Sequence, residues 1–386
     1  MIKYSFFLHS VLRCLLFLTF FNLQGQIDPN IYKFDSGEGL SDDVKKIIRD
    51  NVKDKSVVFI GESVHYSGSD FLAKTKVVEY LVKELQFTDI AFESDFFGLF
   101  FDHSKLNIFP HWSKSVQCQK LFDIVEKENV NLWGFDNQLH SKYSANHFDA
   151  KLKEFLKSHG ILVEDRFLEL TGKVAKNYYN TKEVLTKTDV EYVHKNLEIL
   201  LNNDKVKDDL LWYQILDSFR SALLIYTTHY SLSKAVPIRD AQMAKNLNFI
   251  TKRLENRKVI VWLANAHMSN CNEKFMKGKT MGFQYARMNP NSSYSIAVGS
   301  LILPPRTEKD IIKAHRDRGS LVHFLPALNE NFFIDVIEIR KKRPEIANAV
   351  YNDNDIFNLN NSKAKWFQHF DAIIFVTNGE EIKRID

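Results

Sequence analysis

The apolar run Val57-Val58-Phe59-Ile60 stops at Gly61, and Glu62-Ser63-Val64-His65 follows it. Beyond that point Phe71, Leu72, Val77, Val78, Leu81, Val82 and Leu85 recur at three- and four-residue spacings. This spacing predicts a helix. A second short run, Asp89-Ile90-Ala91-Phe92, stops at Glu93-Ser94-Asp95. Strand, helix and strand within about forty residues make a βαβ unit. In an open parallel sheet, ligands bind outside the carboxyl ends of the strands. Glu62, His65 and Glu93 are therefore expected on one rim of the sheet. The plainer reading is that Glu62 caps the next helix and Glu93 is solvated, and the rest of the chain weighs between the two.

Residues 26–55 read as a lead-in, with a loop at Asp35-Ser36-Gly37-Glu38-Gly39. A short helix through Val44, Ile47 and Ile48 follows, capped by Ser41-Asp42-Asp43. Residues 96–120 are rich in aromatic side chains and histidine: Phe96, Phe97, Phe100, Phe101, His103, Phe109, His111 and Trp112. They suit either the wall of an apolar pocket or core packing. Residues 114–128 predict a helix, and Asn131–Asp136 predicts a third strand ending in a carboxylate. From about 147 to 235 the strand signals vanish and apolar residues recur at helical spacing among charges, which predicts a helical insertion. Lys151, Lys153, Lys157, Lys182 and Lys187 are expected on its solvated faces. Arg239-Asp240-Ala241-Gln242-Met243-Ala244 is expected to start a helix, with Asp240 near its N-terminus, where a carboxylate is favoured. Lys258–Leu263 is a further strand that leads to Ala264-Asn265-Ala266-His267. Ser293–Val298, Phe332–Val336 and Ala372–Val376 complete the set. The pattern predicts an α/β fold: a mostly parallel open sheet flanked by helices, with a helical insertion.

The chain has 386 residues, of which 45% are hydrophobic and 26% charged, enough to build a sizeable core. The first 25 residues carry Lys3, the apolar run Leu15–Phe21 and Gly25 before Gln26. These features predict a signal peptide, residues 1–25, and export to the periplasm or the exterior. One α/β domain then fills 26–386. No later segment is apolar enough to span a membrane, so the mature chain is expected to have no transmembrane segment. The formal net charge of +4 falls to +2 once Lys3 and Arg13 leave with that segment, which contains no Asp or Glu. This balance gives no electrostatic footprint for nucleic acid. Cys118 and Cys271 remain after processing and form no C-x-x-C pair, so a structural zinc site of that kind is not indicated. Gly278-Lys279-Thr280 lacks the earlier glycine of a phosphate-binding loop, with Glu273 in its place.

Four strand ends thus carry Glu62/His65, Glu93/Asp95, Asp136 and His267. A lone histidine at such a position is usually packed or solvated. Two histidines and several carboxylates at one rim form a set suited to acid–base work, because a carboxylate can fix a histidine's tautomer and stabilise its cation. In order along the chain stand Gly61-Glu62-Ser63-Val64-His65, the helix with Lys74, Ala91-Phe92-Glu93, Gly134-Phe135-Asp136, Arg239-Asp240 with Met243-Ala244, and Asn265-Ala266-His267. Met281-Gly282 and Phe370-Asp371-Ala372-Ile373-Ile374-Phe375 close the series. This ordered set resembles the erythromycin esterase family over most of the mature chain. The resemblance implies a hydrolase that opens an ester or lactone of a small molecule without a required metal or other cofactor. It also implies His65 as general base for water, with Glu62, Glu93 and His267 completing the site. Lys74, Arg239 and Asp136 are implied as substrate-binding or supporting residues, Arg239 by orienting a carboxylate.

Two positions depart from the family pattern: Tyr66 stands where the family carries glycine, and Lys74 where it carries arginine. Lysine keeps the charge but loses the planar fork. Two other readings are open. One is a metal-dependent hydrolase of the same broad superfamily, with His65, Glu93 and His267 as ligands. The other is a binding protein that holds an apolar, haem-like ligand against residues 96–112.

Overall fold

A computed structural model describes residues 30–227, 232–255, 257–273, 279–359 and 362–385. The expected signal peptide, residues 1–25, lies outside them. Eight strands form one sheet: β1 (Ile31–Lys33), β2 (Val57–Glu62), β3 (Asp89–Asp95), β4 (Asn131–Asp136), β5 (Val259–Ala264), β6 (Ser293–Ile302), β7 (Phe332–Asp335) and β8 (Ala372–Asn378). Their order across the sheet is β1-β7-β8-β6-β2-β5-β3-β4. From β8 to β4 every neighbouring pair is parallel, while β7 runs antiparallel to β8 and β1 antiparallel to β7. The fold is α/β with a mostly parallel sheet.

The continuous apolar runs of β2, β3 and β5 follow from burial on both faces of a parallel sheet; every residue of these strands is buried. Alternate side chains of β2 go to opposite layers. Val58 and Ile60 pack with α1 (Asp42–Val52), α2 (Gly68–Lys83) and α4 (Gln119–Lys127). Phe59 packs on the other side with Tyr285 of α10 (Met281–Met288). The same layer holds the helices between β4 and β5: α5 (Lys142–Ser158), α6 (Asp165–Lys176), α7 (Lys187–Asn202), α8 (Leu210–Thr227) and α9 (Leu232–Arg253). Of the five lysines expected on solvated faces, four are exposed; Lys151 is half-buried, with Nζ 4.4 Å from the Phe101 ring centre.

Two local expectations are corrected. The lead-in contains a strand, β1, too short to carry a period. Helix α9 begins at Leu232 and includes Pro237, so Asp240 lies inside the helix rather than near its N-terminus. Of the two uses open to the aromatic segment, core packing takes Phe96, Phe97 and Trp112, the first two on α3 (Phe96–Phe101). Cys118 and Cys271 are both free thiols.

Chain order and sheet order disagree at β2. The chain moves from β2 to β3 and β4, returns to insert β5 between β2 and β3, and then places β6 on the far side of β2. Crevices of this kind form at the carboxyl ends of strands where the order reverses. Gly61 makes the approach possible. A methyl group there would collide with Asn265 Oδ1 and come within 3.1 Å of Asn265 Cα in the turn after β5, so a larger residue would push that turn away from β2.

Candidate active site

Glu62 is the last residue of β2 and is fully buried. A buried carboxylate needs partners, and it has two. Oε1 accepts from His65 Nδ1 at 3.0 Å, and Oε2 pairs with Lys74 Nζ. His65 sits in the connection between β2 and α2, so the three-residue spacing brings its ring back onto the strand end. Asp70, in the first turn of α2, fixes that connection. It accepts from Ser63 N (2.9 Å) and Ser63 Oγ (2.6 Å) on one oxygen and from Ser300 Oγ (2.6 Å) on the other. The cap of α2 is Ser67, not Glu62.

Lys74 is wholly buried beneath Glu62, also donates to Leu263 O at 3.2 Å, and lies 3.8 Å from the Trp262 ring centre. Burial drives its pKa down against the pull of Glu62. From this position it supports Glu62 and does not face a substrate.

The His65 side chain is 42% exposed. Desolvation works against its cation, but the Glu62 hydrogen bond and the charges of Glu93 and Glu62 outweigh that and raise its pKa above the ordinary value. Since a carboxylate can only accept, Nδ1 carries the hydrogen toward Glu62 and Nε2 is the nitrogen left to take a proton. The ring stacks on His111 at 4.5 Å between centres and meets Trp112 edge-on at 5.3 Å. Burial and the neighbouring His65 push His111 down to about 3, so it is neutral at physiological pH. Phe109 continues the stack against His111 and His140.

The second half of the cluster is built on Arg239 of α9. Its Nη2 donates to Glu93 Oε1 (2.7 Å) and Asp136 Oδ2 (2.6 Å), and Nε donates to Asp136 Oδ1 (3.1 Å). One guanidinium thus holds the carboxylates at the ends of β3 and β4 together. Such a fork suits two planar acceptors in a way lysine cannot. Glu93 Oε2 accepts from Ala264 N at 2.9 Å, which ties β3 to the end of β5. Although burial opposes it, the positive charges of His267, Arg239 and His65 hold Glu93 well below the usual carboxylate range.

His267 lies in the helical turn Asn265–Met268 after β5. Its Nδ1 meets Asp240 Oδ1 at 2.7 Å; its Nε2 faces Glu93 Oε1 at 3.3 Å and Arg239 Nη1 at 3.1 Å. Burial lowers its pKa, but Asp240 and Glu93 more than compensate and push it up to about 9. His267 is therefore the imidazolium at neutral pH, in contrast to His111. Asp240 Oδ2 accepts from Met281 N at 3.0 Å, so the same carboxylate anchors α10.

The structure brings Glu62, His65, Lys74, Glu93, Asp136, Arg239 and His267 to one rim. Asp95 stands apart in role: it caps α3 through Gly98 N (2.9 Å) and binds Ser144 Oγ (2.6 Å) of α5. Sequence reasoning missed Asp240 as the partner of His267. A carboxylate next to Arg239 with a late histidine was the only signal, and nothing in the spacing of positions 240 and 267 joins them. The aromatic pattern left His111 and Trp112 open as pocket wall or core, and both stand against the His65 ring.

The metal reading is not favoured by this geometry. The Arg239 guanidinium lies among Glu93, Asp136 and His267 where a cation would have to sit. His65, Glu93 and His267 do not present three ligand atoms within 4.8 Å of one another; among the described residues the set that does is Cys271, Glu273 and His369. Of the segment offered as a wall for an apolar ligand, Phe96, Phe97 and Trp112 are buried and Phe100, Phe101, Phe109 and His111 are half-buried.

Comparison with known proteins agrees with this architecture. The sequence model of the erythromycin esterase family matches residues 123–379. The protein YbfO of Bacillus subtilis (strain 168), a hydrolase by provisional name, is 23% identical over 374 residues, covering 82% of each chain. Among solved structures, a Bacillus cereus protein aligns with a TM-score of 0.69 at 17% identity, over 94% of this chain and 98% of its own. A mutant of the erythromycin esterase EreC, in its open conformation, aligns with a TM-score of 0.66 at 15% identity, over 92% and 99%. A succinoglycan biosynthesis protein aligns at 0.67 and 14%, over 95% and 98%. At these identities the solved structures speak for the fold alone.

Proposed function

The chain belongs to the erythromycin esterase family, whose members are hydrolases, and from that premise we propose that it cleaves an ester or lactone of a small molecule by direct attack of water. His65 is the general base. The observation that carries the reading is the Glu62–His65 pair. A buried carboxylate at a strand end holds Nδ1 at 3.0 Å while 42% of the imidazole side chain stays open. The free Nε2 takes a proton from water as the water oxygen bonds to the carbonyl carbon. The carbonyl electron pair moves onto oxygen, and the carbon–oxygen ester bond then breaks as the His65 imidazolium returns its proton to the leaving alkoxide. An acid and an alcohol result.

The developing oxyanion needs preorganised positive charge. Arg239 supplies it: Nε and Nη2 are committed to carboxylates, whereas Nη1, with two hydrogens, has His267 as its hydrogen-bonding neighbour among the described residues. The His267 cation adds to the same field. Lys74 and Asp136 act one step back, holding Glu62 and Arg239. The base, His65, and the groups that stabilise the oxyanion, Arg239 and His267, are all side chains, so the proposed step calls on no metal.

The test is a panel of p-nitrophenyl esters and lactones, macrolides included, assayed with purified protein with and without a strong chelator. Turnover that survives chelation supports the reading. Turnover lost on chelation and restored by one divalent ion would transfer it to metal-assisted hydrolysis. For the first 25 residues we propose export, with the mature chain working in the periplasm or outside the cell. Among the described residues no helix is long and apolar enough to cross a membrane.

A further inference from the structure

Beyond His267 the chain leaves the rim through Ser269 and runs beside Trp366–His369, the segment that leads into β8. Asn270 N donates to His369 O at 3.1 Å, so the two segments are in register. At this junction Cys271 Sγ, a Glu273 carboxylate oxygen and a His369 ring nitrogen all lie within 4.8 Å of one another. His369 is buried and the other two are half-buried.

Two of the three groups, His369 and Glu273, are held in place as ligands are. Ser269 Oγ bonds His369 Nδ1 at 2.7 Å, which fixes the ring and directs Nε2 toward Glu273 Oε2, 3.9 Å away. Glu273 is itself held by Lys365 N, which donates to Oε1 at 3.0 Å and leaves Oε2 on the side of the histidine. Orientation of a ligand histidine through its second nitrogen, and of a carboxylate through its second oxygen, is characteristic of metal centres. Of the two cations near Cys271 among the described residues, Arg340 is occupied by Asp371 Oδ1 (2.9 Å) and Phe367 O (2.6 Å), and Lys365 has an exposed side chain.

We propose that Cys271, Glu273 and His369 form a zinc site that ties the loop after His267 to the entry of β8. One thiolate, one imidazole and one carboxylate suit a borderline ion and not calcium or magnesium, which take oxygen. Zinc bonds of about 2.0–2.3 Å at tetrahedral angles set neighbouring donors about 3.3–3.6 Å apart. The present separations, up to 4.8 Å, need to close by at most about 1.5 Å to reach that spacing, within reach of two half-exposed side chains. A water completes the fourth position. The cysteine loses its proton on binding, so uptake of zinc releases a proton. The site is separate from the Glu62–His65 pair and does not depend on the reaction proposed there.

The test uses the purified full chain, stripped with chelator and then titrated with zinc against a chromophoric competitor. One zinc per chain is expected, with affinity lowered at least about 10-fold in Cys271→Ser and in Glu273→Gln. Cobalt(II) in place of zinc is expected to give a thiolate-to-metal charge-transfer band that vanishes in Cys271→Ser. His369 is buried and His369→Gln risks misfolding, so the two half-exposed positions decide. Equal zinc affinity in wild type and both variants would overturn the proposal. So would a cobalt spectrum without a thiolate band, or a band that persists in Cys271→Ser.

Discussion

His65→Ala separates catalysis from folding at this site. The ring lies in a connection, not in a strand, and its hydrogen-bond partner is Glu62. Removing it forfeits a hydrogen bond to a charged group and some stacking on His111, roughly 1–2 kcal/mol of stability. Glu62 keeps Lys74 as a partner, so no carboxylate is stranded. For a chain of this size that loss lowers Tm by only a few degrees, on the order of 2–4 °C per kcal/mol. The expected kinetic effect is far larger. A positioned base contributes about 10²–10⁴-fold, equivalent to about 3–5 kcal/mol of barrier. The assay is kcat on the best ester or lactone from the panel, with Tm measured on the same preparations. The wild-type pH profile gives a second readout. The carboxylates raise the His65 pKa, so the acid limb of kcat/KM should fall above the ordinary imidazole value of about 6.5 and disappear in the variant. Wild-type turnover by His65→Ala at an unchanged Tm would refute the base assignment, even with the fold intact.

Asp240→Asn should lower the pKa of His267 from about 9, read by NMR titration of the imidazole. A raised folded-state pKa stabilises the protein below the unfolded value of about 6.5 and the benefit is lost as pH rises through about 9, at most about 3 kcal/mol between those limits; the variant should lose most of this pH dependence in denaturant melts. Arg239→Ala strands Glu93 and Asp136 together in a buried position and should cost about 3–5 kcal/mol, seen as a large drop in the urea midpoint, along with activity. Lys74→Arg restores the family's usual residue, but the Lys74 side chain is fully enclosed by Glu62, Leu263 and Trp262, so overpacking should cost about 1–3 kcal/mol; a Tm equal to wild type would show that the site has room. Mass spectrometry of exported protein should find an N-terminus near Gln26, and an intact Met1 would count against processing.

The sequence by itself determined the parallel strands, because strands buried on both faces must be continuous apolar runs, and Val57–Ile60 and Val259–Leu263 are such runs. It also located the rim, since the ionisable residues that interrupt those runs at Glu62, Glu93 and Asp136 fall where strands end. Strand β1 was illegible because three residues hold no period, and its place is set by pairing with β7 some 300 positions away. Only the tertiary structure decided how the rim residues share charge. Arg239 meets Glu93 and Asp136 across 146 and 103 positions, and Asp240 meets His267 across 27. Periodicity reports which face of an element is buried, not which distant element covers it. The insertion of β5 between β2 and β3, with the turn after it packed against Gly61, is what turns a row of separate strand ends into one cluster, with His65 kept open at its edge and His267 inside it.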